Sequence, residues 1–346
     1  MNNIKNISKK ALLNNYFYCK NFNKKIMVMV KANAYGHGLK NIVDVLKNKV
    51  YFWGVANFLE ALNLKFLLKR KSNILVVGKT TNFKTLIKNN IQITVDSLQE
   101  LKIIKKISLK LKRIAKVHIA INTGMNRIGV KNIKEFNKML NFISKNKTIK
   151  LKGVFTHCFD ADAKFSHFYK QMKNFKKYVN LLKNKNILIH IGGSFCLTKT
   201  IPKFVNMVRI GLFLYGYGSP QLKRAMTITS RVIKKIRANK GEFVGYGNTK
   251  LNKNTLIGIV PIGYADGVPL KLSKIAKVTI NNQKCKIIGR ICMDMLMVDI
   301  THKNIKTFDK VIVFNDANYF SKITKTSVYE TLTNFGKIRA KDNIVY

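Results

Sequence analysis

The residue with the clearest chemical potential is Lys31, which follows a short apolar run. Ile26 to Val30 are apolar and partly β-branched, and Lys31 comes directly after them, before the small residues and glycines of ANAYGHG. A run this short, ended by glycine, favours a buried strand. Burial favours the neutral form of a lysine, and a neutral amine can attack a carbonyl to form a Schiff base. A lysine that only extends past the strand end into solvent is the alternative, and this segment alone does not separate the two.

Three further cationic or titratable residues have similar positions. Arg127 lies in NTGMNRIG, His157 in FTHCFD and Arg209 in NMVRIG, each at or just after a short apolar run. Singly, Arg127 also fits a surface loop and His157 fits a buried core position. Their shared placement at strand ends makes them candidates for one site.

A glycine-rich segment suits the binding of an anion. HIGGSF pairs two glycines with Ser194, and backbone N–H groups beside glycine approach phosphate closely. The segment VRIGLFLYG offers the amides of Gly211 and Leu212 to the same anion. A simple turn is the alternative for Ser194.

The chain is strongly basic, with 65 Lys+Arg against 15 Asp+Glu and a net charge of +50. Such an excess is typical of proteins that bind nucleic acid or anionic membranes. Here the charge is mostly lysine, spread along the whole chain without a basic tail, so we interpret it as a bias in residue usage and do not expect nucleic-acid binding. In a chain that uses little arginine, each arginine is a candidate for planar, two-pronged recognition.

Cysteine usage and hydropathy indicate the compartment. Five cysteines with no CxxC pair form neither a disulfide framework nor a zinc-site spacing. No signal-peptide core and no membrane-spanning apolar run is apparent. We therefore expect a cytoplasmic protein with free thiols, no metal and no membrane partner.

The elements that must position these residues alternate in the first two thirds of the chain. Eight strand candidates are separated by amphipathic stretches, a pattern that predicts an α/β fold with a (β/α)8 barrel over residues 1–225. A doubly wound open sheet is the alternative. The candidates are Ile26–Val30, Tyr51–Ala56, Ile74–Val77, Ile91–Val95, Val117–Ile121, Leu151–Thr156, Ile187–Ile191 and Asn206–Ile210. Barrel enzymes carry their chemistry at the carboxyl ends of the strands, where all the residues above would lie.

Residues 226–346 show a different pattern of short β-rich runs with Gly or Asn turns, which predicts a separate, mostly antiparallel β domain. The runs are Thr227–Ile236, Thr255–Ile262, Ala276–Ile280, Lys286–Ile288, Leu296–Ile300 and Lys310–Phe314. Two segments in it do not look structural: PIGYADG, which contains Tyr264, and GRICMDM, which contains Met293.

Six segments resemble signatures of the alanine racemase family, and they are distributed so that the resemblance extends over essentially the whole chain. They are VKANAYGHG, INTGMNRIG, FTHCFDADA, VRIGLFLYG, PIGYADG and GRICMDM. The resemblance implies an enzyme that interconverts L- and D-alanine with pyridoxal 5'-phosphate and supplies D-alanine for peptidoglycan. In that family the lysine holds the cofactor as an internal aldimine and the tyrosine four residues later reaches its phosphate, which implies these roles for Lys31 and Tyr35.

The resemblance also implies a mechanism with two bases on opposite faces of the substrate. Lys31 would serve one face and Tyr264 the other. The β domain of one subunit closes over the barrel of its partner in the family, so Tyr264 and Met293 would act in the partner's site and the protein would be a homodimer.

The remaining candidates receive binding roles from the same resemblance. Arg209 would face the pyridine nitrogen, and His157, in front of Arg209, would be the cofactor-site partner that adjusts the basicity of Tyr264. Arg127 would contact the cofactor's phenolic oxygen and the substrate carboxylate. The phosphate would be held by Ser194, Tyr35 and the amides near Gly211 and Leu212.

Several positions depart from the family pattern. Ala120 stands where a modified lysine is common, Gly193 replaces an asparagine, and Phe335 takes what looks like the place of a phosphate-bonding tyrosine. The hydroxyl that is lost at Phe335 predicts weaker retention of the cofactor. A cofactor-binding homologue with little or no racemase activity is the alternative function, and Tyr264, a second base that a mere binder does not need, favours the enzyme.

Overall fold

The computed structural model describes residues 3–69, 72–159, 165–184 and 186–346 of the chain. Its strands are β1 Ile4–Ser8, β2 Lys25–Met29, β3 Phe52–Val55, β4 Asn73–Val76, β5 Gln92–Val95, β6 Ala115–Ala120, β7 Ile149–His157, β8 Leu188–Gly192, β9 Met207–Ile210, β10 Met226–Arg231, β11 Lys234–Ala238, β12 Thr255–Val260, β13 Lys277–Ile280, β14 Gln283–Ile288, β15 Leu296–Asp299, β16 Lys310–Phe314 and β17 Lys341–Val345. Its α-helices are α1 Lys9–Lys20, α2 Lys31–Tyr35, α3 Leu39–Leu46, α4 Phe58–Leu68, α5 Phe83–Lys88, α6 Leu98–Leu111, α7 Ile133–Ser144, α8 Phe165–Val179, α9 Ala317–Thr324 and α10 Val328–Phe335. Short 3₁₀ turns cover Ser194–Thr198, Tyr264–Asp266 and Leu270–Leu272.

The chain folds as two compact units. The barrel unit comprises Leu13–Ala32 and Ile42–Leu222, and the sheet unit comprises Met1–Leu12, Asn33–Asn41 and Lys223–Tyr346. Among the helices that the structure describes, none has the length and apolar composition to cross a bilayer.

The barrel unit is a closed barrel in which β2 to β9 follow one another in chain order. Every neighbouring pair is parallel, including the closing pair of β2 and β9. The predicted (β/α)8 barrel is therefore confirmed, and the doubly wound alternative is wrong. Each of the eight predicted strands overlaps an observed one.

The helices of the barrel unit form where local signals favour them. Ser97 caps α6 by accepting the amide of Glu100, and Lys112 ends the same helix in the left-handed conformation. Within α6, Leu101 and Ile104 are fully buried, and Phe168, Met172 and Phe175 line the buried side of α8. This apolar stripe on α8 is core, as its spacing predicts.

The sheet unit contains a nine-stranded sheet in the order β11-β12-β15-β14-β13-β16-β10-β1-β17. All its pairs are antiparallel except β1 with β17, which confirms the predicted β-rich second part. The N-terminal strand β1 was not predicted, because Lys5 occupies one of its two buried positions beside Ile7 and masks the alternation of apolar residues. The single run predicted over Thr227–Ile236 is two strands, β10 and β11.

Candidate active site

Lys31 begins the turn that follows β2 at the carboxyl end of the barrel. Burial lowers the pKa of its amine, the charge of Arg127 lowers it further, and Arg209 adds a smaller effect of the same sign. Glu60 acts in the opposite direction. An amine with a lowered pKa among cationic groups is more often neutral at physiological pH, which is the state a nucleophile or a base requires.

The turn after Lys31 is left-handed, which the sequence did not predict. Ala32, Asn33, Ala34 and Tyr35 have φ values of 52°, 51°, 55° and 53°, and Gly36 continues at 82°. Each non-glycine residue in this conformation costs roughly 1–2 kcal/mol, so the surrounding contacts must compensate. The resulting geometry turns the chain sharply directly after Lys31.

Hydrogen bonds hold both ends of this turn. In the barrel unit, the amide of Ala32 donates to Oε1 of Glu60 at 2.8 Å. In the sheet unit, Nζ of the buried Lys5 donates to the Gly36 carbonyl at 3.2 Å, and Lys5 pairs with Asp342 at 3.1 Å. A Cβ on Gly36 would lie 2.7 Å from the Cα of Gly336, so glycine is required at this backbone contact.

Arg209, on β9, is the central cation of the barrel mouth and is only 5% exposed. Its Nη2 donates to the Thr156 carbonyl at 2.8 Å and lies 3.3 Å from Nδ1 of His157. The guanidinium also lies over the ring of Phe155, 4.7 Å from its centroid. These contacts fix both the position and the plane of a group that stays protonated.

A chain of hydrogen bonds runs from Arg209 into the barrel interior. Nη1 of Arg209 lies 2.8 Å from Nδ1 of His190, and Nε2 of His190 lies 2.9 Å from Nδ1 of His118. Nε2 of His118 lies 2.7 Å from Oε1 of Gln92. Because arginine only donates, the chemistry fixes each tautomer in turn: His190 accepts at Nδ1 and donates at Nε2, and His118 does the same.

The histidines beside Arg209 are neutral. Burial lowers the pKa of His118 to about 3, with Arg209 contributing in the same direction. Burial and the charges of Arg209, Arg127 and Lys31 lower the pKa of His157 to about 3. The mouth therefore carries permanent positive charge on its arginines and neutral imidazole on its histidines.

Glycines open the end of β8. A Cβ on Gly192 would lie 2.0 Å from Nη2 of Arg209 and 2.5 Å from Nδ1 of His157, so only glycine fits there. Gly193 has φ 104°, and the nearest atom to its would-be Cβ is Sγ of Cys196 at 3.6 Å. The backbone of Ser194 begins a 3₁₀ turn, while its side chain lies outside the described part of the chain. Gly211 and Leu212 follow β9, where the turn closes by a bond of 2.9 Å from the Leu214 amide to the Gly211 carbonyl.

Arg127 lies on an exposed loop after β6. Oδ1 of Asn122 accepts the amides of Gly124 and Asn126 at 3.0 and 3.1 Å, which shapes the first part of the loop. Oδ2 of Asp96 accepts the Gly129 amide at 2.9 Å and anchors the second part. Ala120, at the end of β6, is buried and brings no charge to this region.

In the sheet unit, Tyr264 and Met293 lie on two turns that dock through their backbones. The amide of Tyr264 donates to the Cys292 carbonyl at 3.0 Å, and that of Ala265 donates to the Met293 carbonyl at 3.0 Å. A Cβ on Gly263 would lie 2.2 Å from the Cys292 carbonyl oxygen, so glycine permits the contact. Tyr264 and Met293 are 42% and 52% exposed.

Arg339 ties the same two turns together. Its Nε and Nη2 donate to the two carboxylate oxygens of buried Asp266 at 2.9 and 3.3 Å, and Nη2 also donates to Asp294 at 2.6 Å. Sequence reasoning did not single out this contact, although arginine is scarce in this chain and that scarcity was the available signal.

Tyr35 and Phe335 both belong to the sheet unit. Tyr35 is buried, and its ring lies 5.9 Å from that of Tyr329. Phe335 is fully buried, with its ring 4.4 Å from Phe314 and 5.1 Å from Phe320. Aromatic core residues therefore surround its ring, and its correspondence to a phosphate-binding position stays a prediction.

Comparison with known proteins identifies relatives over the whole chain. Residues 7–220 match the family model "Alanine racemase, N-terminal domain", and residues 225–342 match "Alanine racemase, C-terminal domain". The chain is 35% identical over 334 residues to the alanine racemase of Borreliella burgdorferi (strain ZS7), which covers 91% of this chain and 89% of the relative. It is 32% identical over 341 residues to that of Helicobacter pylori (strain Shi470), covering 90% of each.

Solved structures of alanine racemases also resemble this chain over its whole length. The alanine racemase of Clostridium difficile 630 superposes with a TM-score of 0.93 at 32% identity, covering 100% of this chain and 96% of the other. The alanine racemase of Bartonella henselae, with covalently bound pyridoxal phosphate, gives 0.91 at 25% identity and covers 100% of each chain. That of Bacillus anthracis, with bound L-Ala-P, gives 0.90 at 25% identity and covers 100% of this chain and 95% of the other.

Proposed function

This chain belongs to the alanine racemase family, a family of enzymes that depend on pyridoxal phosphate, and we propose that it interconverts L- and D-alanine by a two-base mechanism. The observation that carries the proposal is the amine of Lys31 at the carboxyl end of the barrel. Its pKa is lowered by burial, by Arg127 and by Arg209. Barrel enzymes perform their chemistry at this end.

The residues of the barrel mouth fit pyridoxal phosphate. Lys31 supplies a primary amine whose pKa is lowered by burial and by the neighbouring arginines, and the Arg127 and Arg209 guanidinium groups provide positive charge for an anion. Glycines at 192 and 193 keep side chains away from the end of β8, where backbone amides can approach a phosphate. The residues proposed to bind the phosphate are the ones that supply these amides, together with Ser194, Gly211, Leu212 and Tyr35.

When bound, pyridoxal phosphate supplies an electron sink that makes the α-proton of an amino acid removable. Lys31 then holds and returns a proton at Nζ on one face of the substrate. The lowered pKa of Lys31 suits this exchange, because a base is most effective when its pKa lies near the working pH.

Arg209 and His157 set the electrostatics of the mouth. Arg209 is the proposed partner of the cofactor's ring nitrogen, and its contacts with Thr156 and His190 keep it in one place. Because a guanidinium does not give up its proton, it provides a donor and a charge but no proton. His157, with its pKa lowered to about 3, stays neutral beside it, and Arg127 is the proposed contact for the substrate carboxylate.

The second base is proposed to be Tyr264 of a partner subunit, with Met293 beside it. Support comes from their exposure in a single chain and from a neighbouring groove of about 850 Å³ on the same unit. Phe243 and Tyr246, on that groove, are 62% and 68% exposed. An exposed apolar area of this kind suits a protein interface, so we propose a homodimer in which residues 226–346 of one subunit complete the site on residues 1–225 of the other.

The test begins with the purified protein and L-alanine, coupled to D-amino-acid oxidase. We expect production of D-alanine, and we expect borohydride to attach the cofactor to Lys31 alone. Lys31→Ala should abolish both, while Lys25→Ala, at the exposed opposite end of β2, should preserve both. Cofactor attached to Lys31 without D-alanine production would instead support a binding homologue without turnover.

The assembly and the biological role need separate measurements. Tyr264→Phe and Lys31→Ala chains, each inactive alone, should regain activity when mixed, because one of the two composite sites is then intact. Expression of the wild-type chain should remove the D-alanine requirement of a bacterium that lacks its own racemase, as expected if the product supplies peptidoglycan. Failure of the mixed chains to recover activity would contradict a site shared between subunits.

A further inference from the structure

Glu60 makes two backbone contacts that join the ends of two barrel strands. Oε1 accepts the Ala32 amide, directly after Lys31, at 2.8 Å, and Oε2 accepts the Ala56 amide, directly after β3, at 2.8 Å. The carboxylate therefore spans the loops that follow β2 and β3. The chain has only 15 acidic residues, and one of them has both carboxylate oxygens bound to backbone amides.

Capping of α4 does not account for these contacts. Asn57 is the N-cap of α4, and its side chain accepts the Glu60 amide at 3.0 Å. The carboxylate of Glu60 is thus left to act elsewhere. Glu135 offers a direct comparison, because it also lies in the first turn of a barrel helix, α7, yet its carboxylate has no hydrogen-bond partner among the described residues.

The location of the Ala32 contact gives it a role in the site. Ala32 is the first residue of the left-handed turn, and its φ of 52° is unfavourable for alanine. A bond to its amide stabilises this conformation at the residue next to Lys31. Any shift of Ala32 moves the origin of the Lys31 side chain, and small misplacements of a reacting group are costly.

The charge of Glu60 acts on the same amine. Among described residues, the charged groups that act on Lys31 are the cations Arg127 and Arg209 and the anion Glu60. His157 faces it as a neutral imidazole. Glu60 limits how far burial and the two arginines lower the pKa of Lys31.

We propose that Glu60 is a positioning residue for Lys31, fixing the backbone of the left-handed turn and balancing the positive charge around the amine. This inference rests on the proposed role of Lys31. Glu60→Gln distinguishes the charge and the hydrogen bonds of Glu60 from its packing. Glutamine has the same size, but it is neutral and carries one acceptor oxygen and one NH₂ group. It can accept only one of the two backbone amides and presents a donor to the other.

The first experiment measures the Lys31 amine without turnover. The full-length, cofactor-free protein is labelled with acetic anhydride across a range of pH, and the peptide that contains Lys31 is quantified by mass spectrometry. We expect Glu60→Gln to lower the midpoint of labelling by roughly 0.5–1 pH unit, the effect of one charge across a partly solvated gap. In the loaded enzyme, the acid limb of the kcat/KM profile should move in the same direction.

Three variants complete the design. Glu135→Gln removes an equal charge from an equivalent helix position and should leave the midpoint unchanged. Asn57→Ala removes the cap of α4 and should lower Tm without moving the midpoint. Glu60→Asp keeps the charge but is too short to reach both amides, so the midpoint should stay near the wild-type value while kcat falls roughly 3- to 10-fold.

An unchanged midpoint in Glu60→Gln would overturn the proposal, as would an equal change in Glu135→Gln or Asn57→Ala. These outcomes are independent of the racemase assignment. Borohydride trapping at a residue other than Lys31 would refute the proposed function, whereas the labelling midpoint reports on Glu60 in either case.

Discussion

Arg339 is expected to hold the two turns that carry Tyr264 and Met293, and its replacement should weaken the sheet unit. The guanidinium makes three charge-assisted bonds, two to Asp266 and one to Asp294. Asp266 is 2% exposed, so its carboxylate depends on these donors. Lysine has a single ammonium and cannot span both carboxylates in the same plane.

The size of the effect follows from burial. A hydrogen bond to a charged group contributes about 1.5–3 kcal/mol, and loss of one partner of a fully buried pair costs about 3–5 kcal/mol. The Arg339 side chain is 55% exposed, which reduces this cost through solvent screening. Asp266 also accepts a hydrogen bond from the Gly263 amide at 3.0 Å, and this bond remains when Arg339 is replaced. We therefore expect Arg339→Ala to lower the urea midpoint of unfolding, and Arg339→Lys to lower it by roughly half as much.

The measurement is equilibrium unfolding in urea at one protein concentration, together with kcat. Arg231→Lys is the control, because the bond that Arg231 donates to the exposed Phe308 carbonyl, at 2.8 Å, involves no carboxylate. Asp266→Asn, alone and combined with Arg339→Ala, gives the coupling between the two residues. Stability within about 0.5 kcal/mol of wild type in both Arg339 variants would refute the reasoning.

Three further predictions concern the core, acid stability and charge. Phe335→Tyr buries a hydroxyl among aromatic rings and should lower the free energy of unfolding by about 1–3 kcal/mol. If residue 335 lies in the phosphate site, the variant should also retain the cofactor more tightly in equilibrium dialysis, and equal retention would contradict that expectation. His37, His118 and His157 have a pKa of about 3 in the folded chain against an ordinary value of 6.5, so only the unfolded chain binds their protons between these values. The free energy of unfolding should therefore fall as pH decreases from about 6.5 to about 3, by up to about 1.4 kcal/mol per pH unit for each histidine. Urea unfolding at pH 7, 6 and 5 measures this slope, and His118→Gln should make the slope smaller. The net charge of +50 repels itself, so an increase in NaCl from about 50 to about 500 mM should raise Tm by roughly 2–5 °C in scanning calorimetry, whereas an unchanged Tm would show that lysine repulsion does not limit stability.

The sequence was informative where a residue's environment is set by its own strand. Lys31 closes an apolar run, and the strand that precedes it, the closed barrel and the placement of Arg209 on β9 all follow from local patterns. Buried parallel strands produce such continuous apolar runs because helices cover their outer faces. The N-cap of α6 also has a local signal, because Ser97 is followed three residues later by Glu100.

Features that depend on distant parts of the chain could not be predicted. Nothing in ANAY indicates four consecutive residues with positive φ, because alanine and tyrosine avoid that conformation unless other segments impose it. The strand β1 was missed because buried Lys5 looks like a surface residue until Asp342 is placed beside it. The chain through His190 and His118 was also missed, because its members lie on different strands and meet only inside the closed barrel.

The pairing of Gly36 with Gly336 constrains how the protein is made. Asn41 bonds to Asp342 across 301 residues at 2.9 Å, so the segment beside Lys31 finds its neighbours only after almost the entire chain has left the ribosome. A chain that stops a few residues before Gly336 contains all eight barrel strands but lacks part of the support for the left-handed turn that contains Tyr35. Formation of the left-handed turn therefore depends on the segment around Gly336 and Asp342, and a frameshift in that segment also removes the support of residues near Lys31.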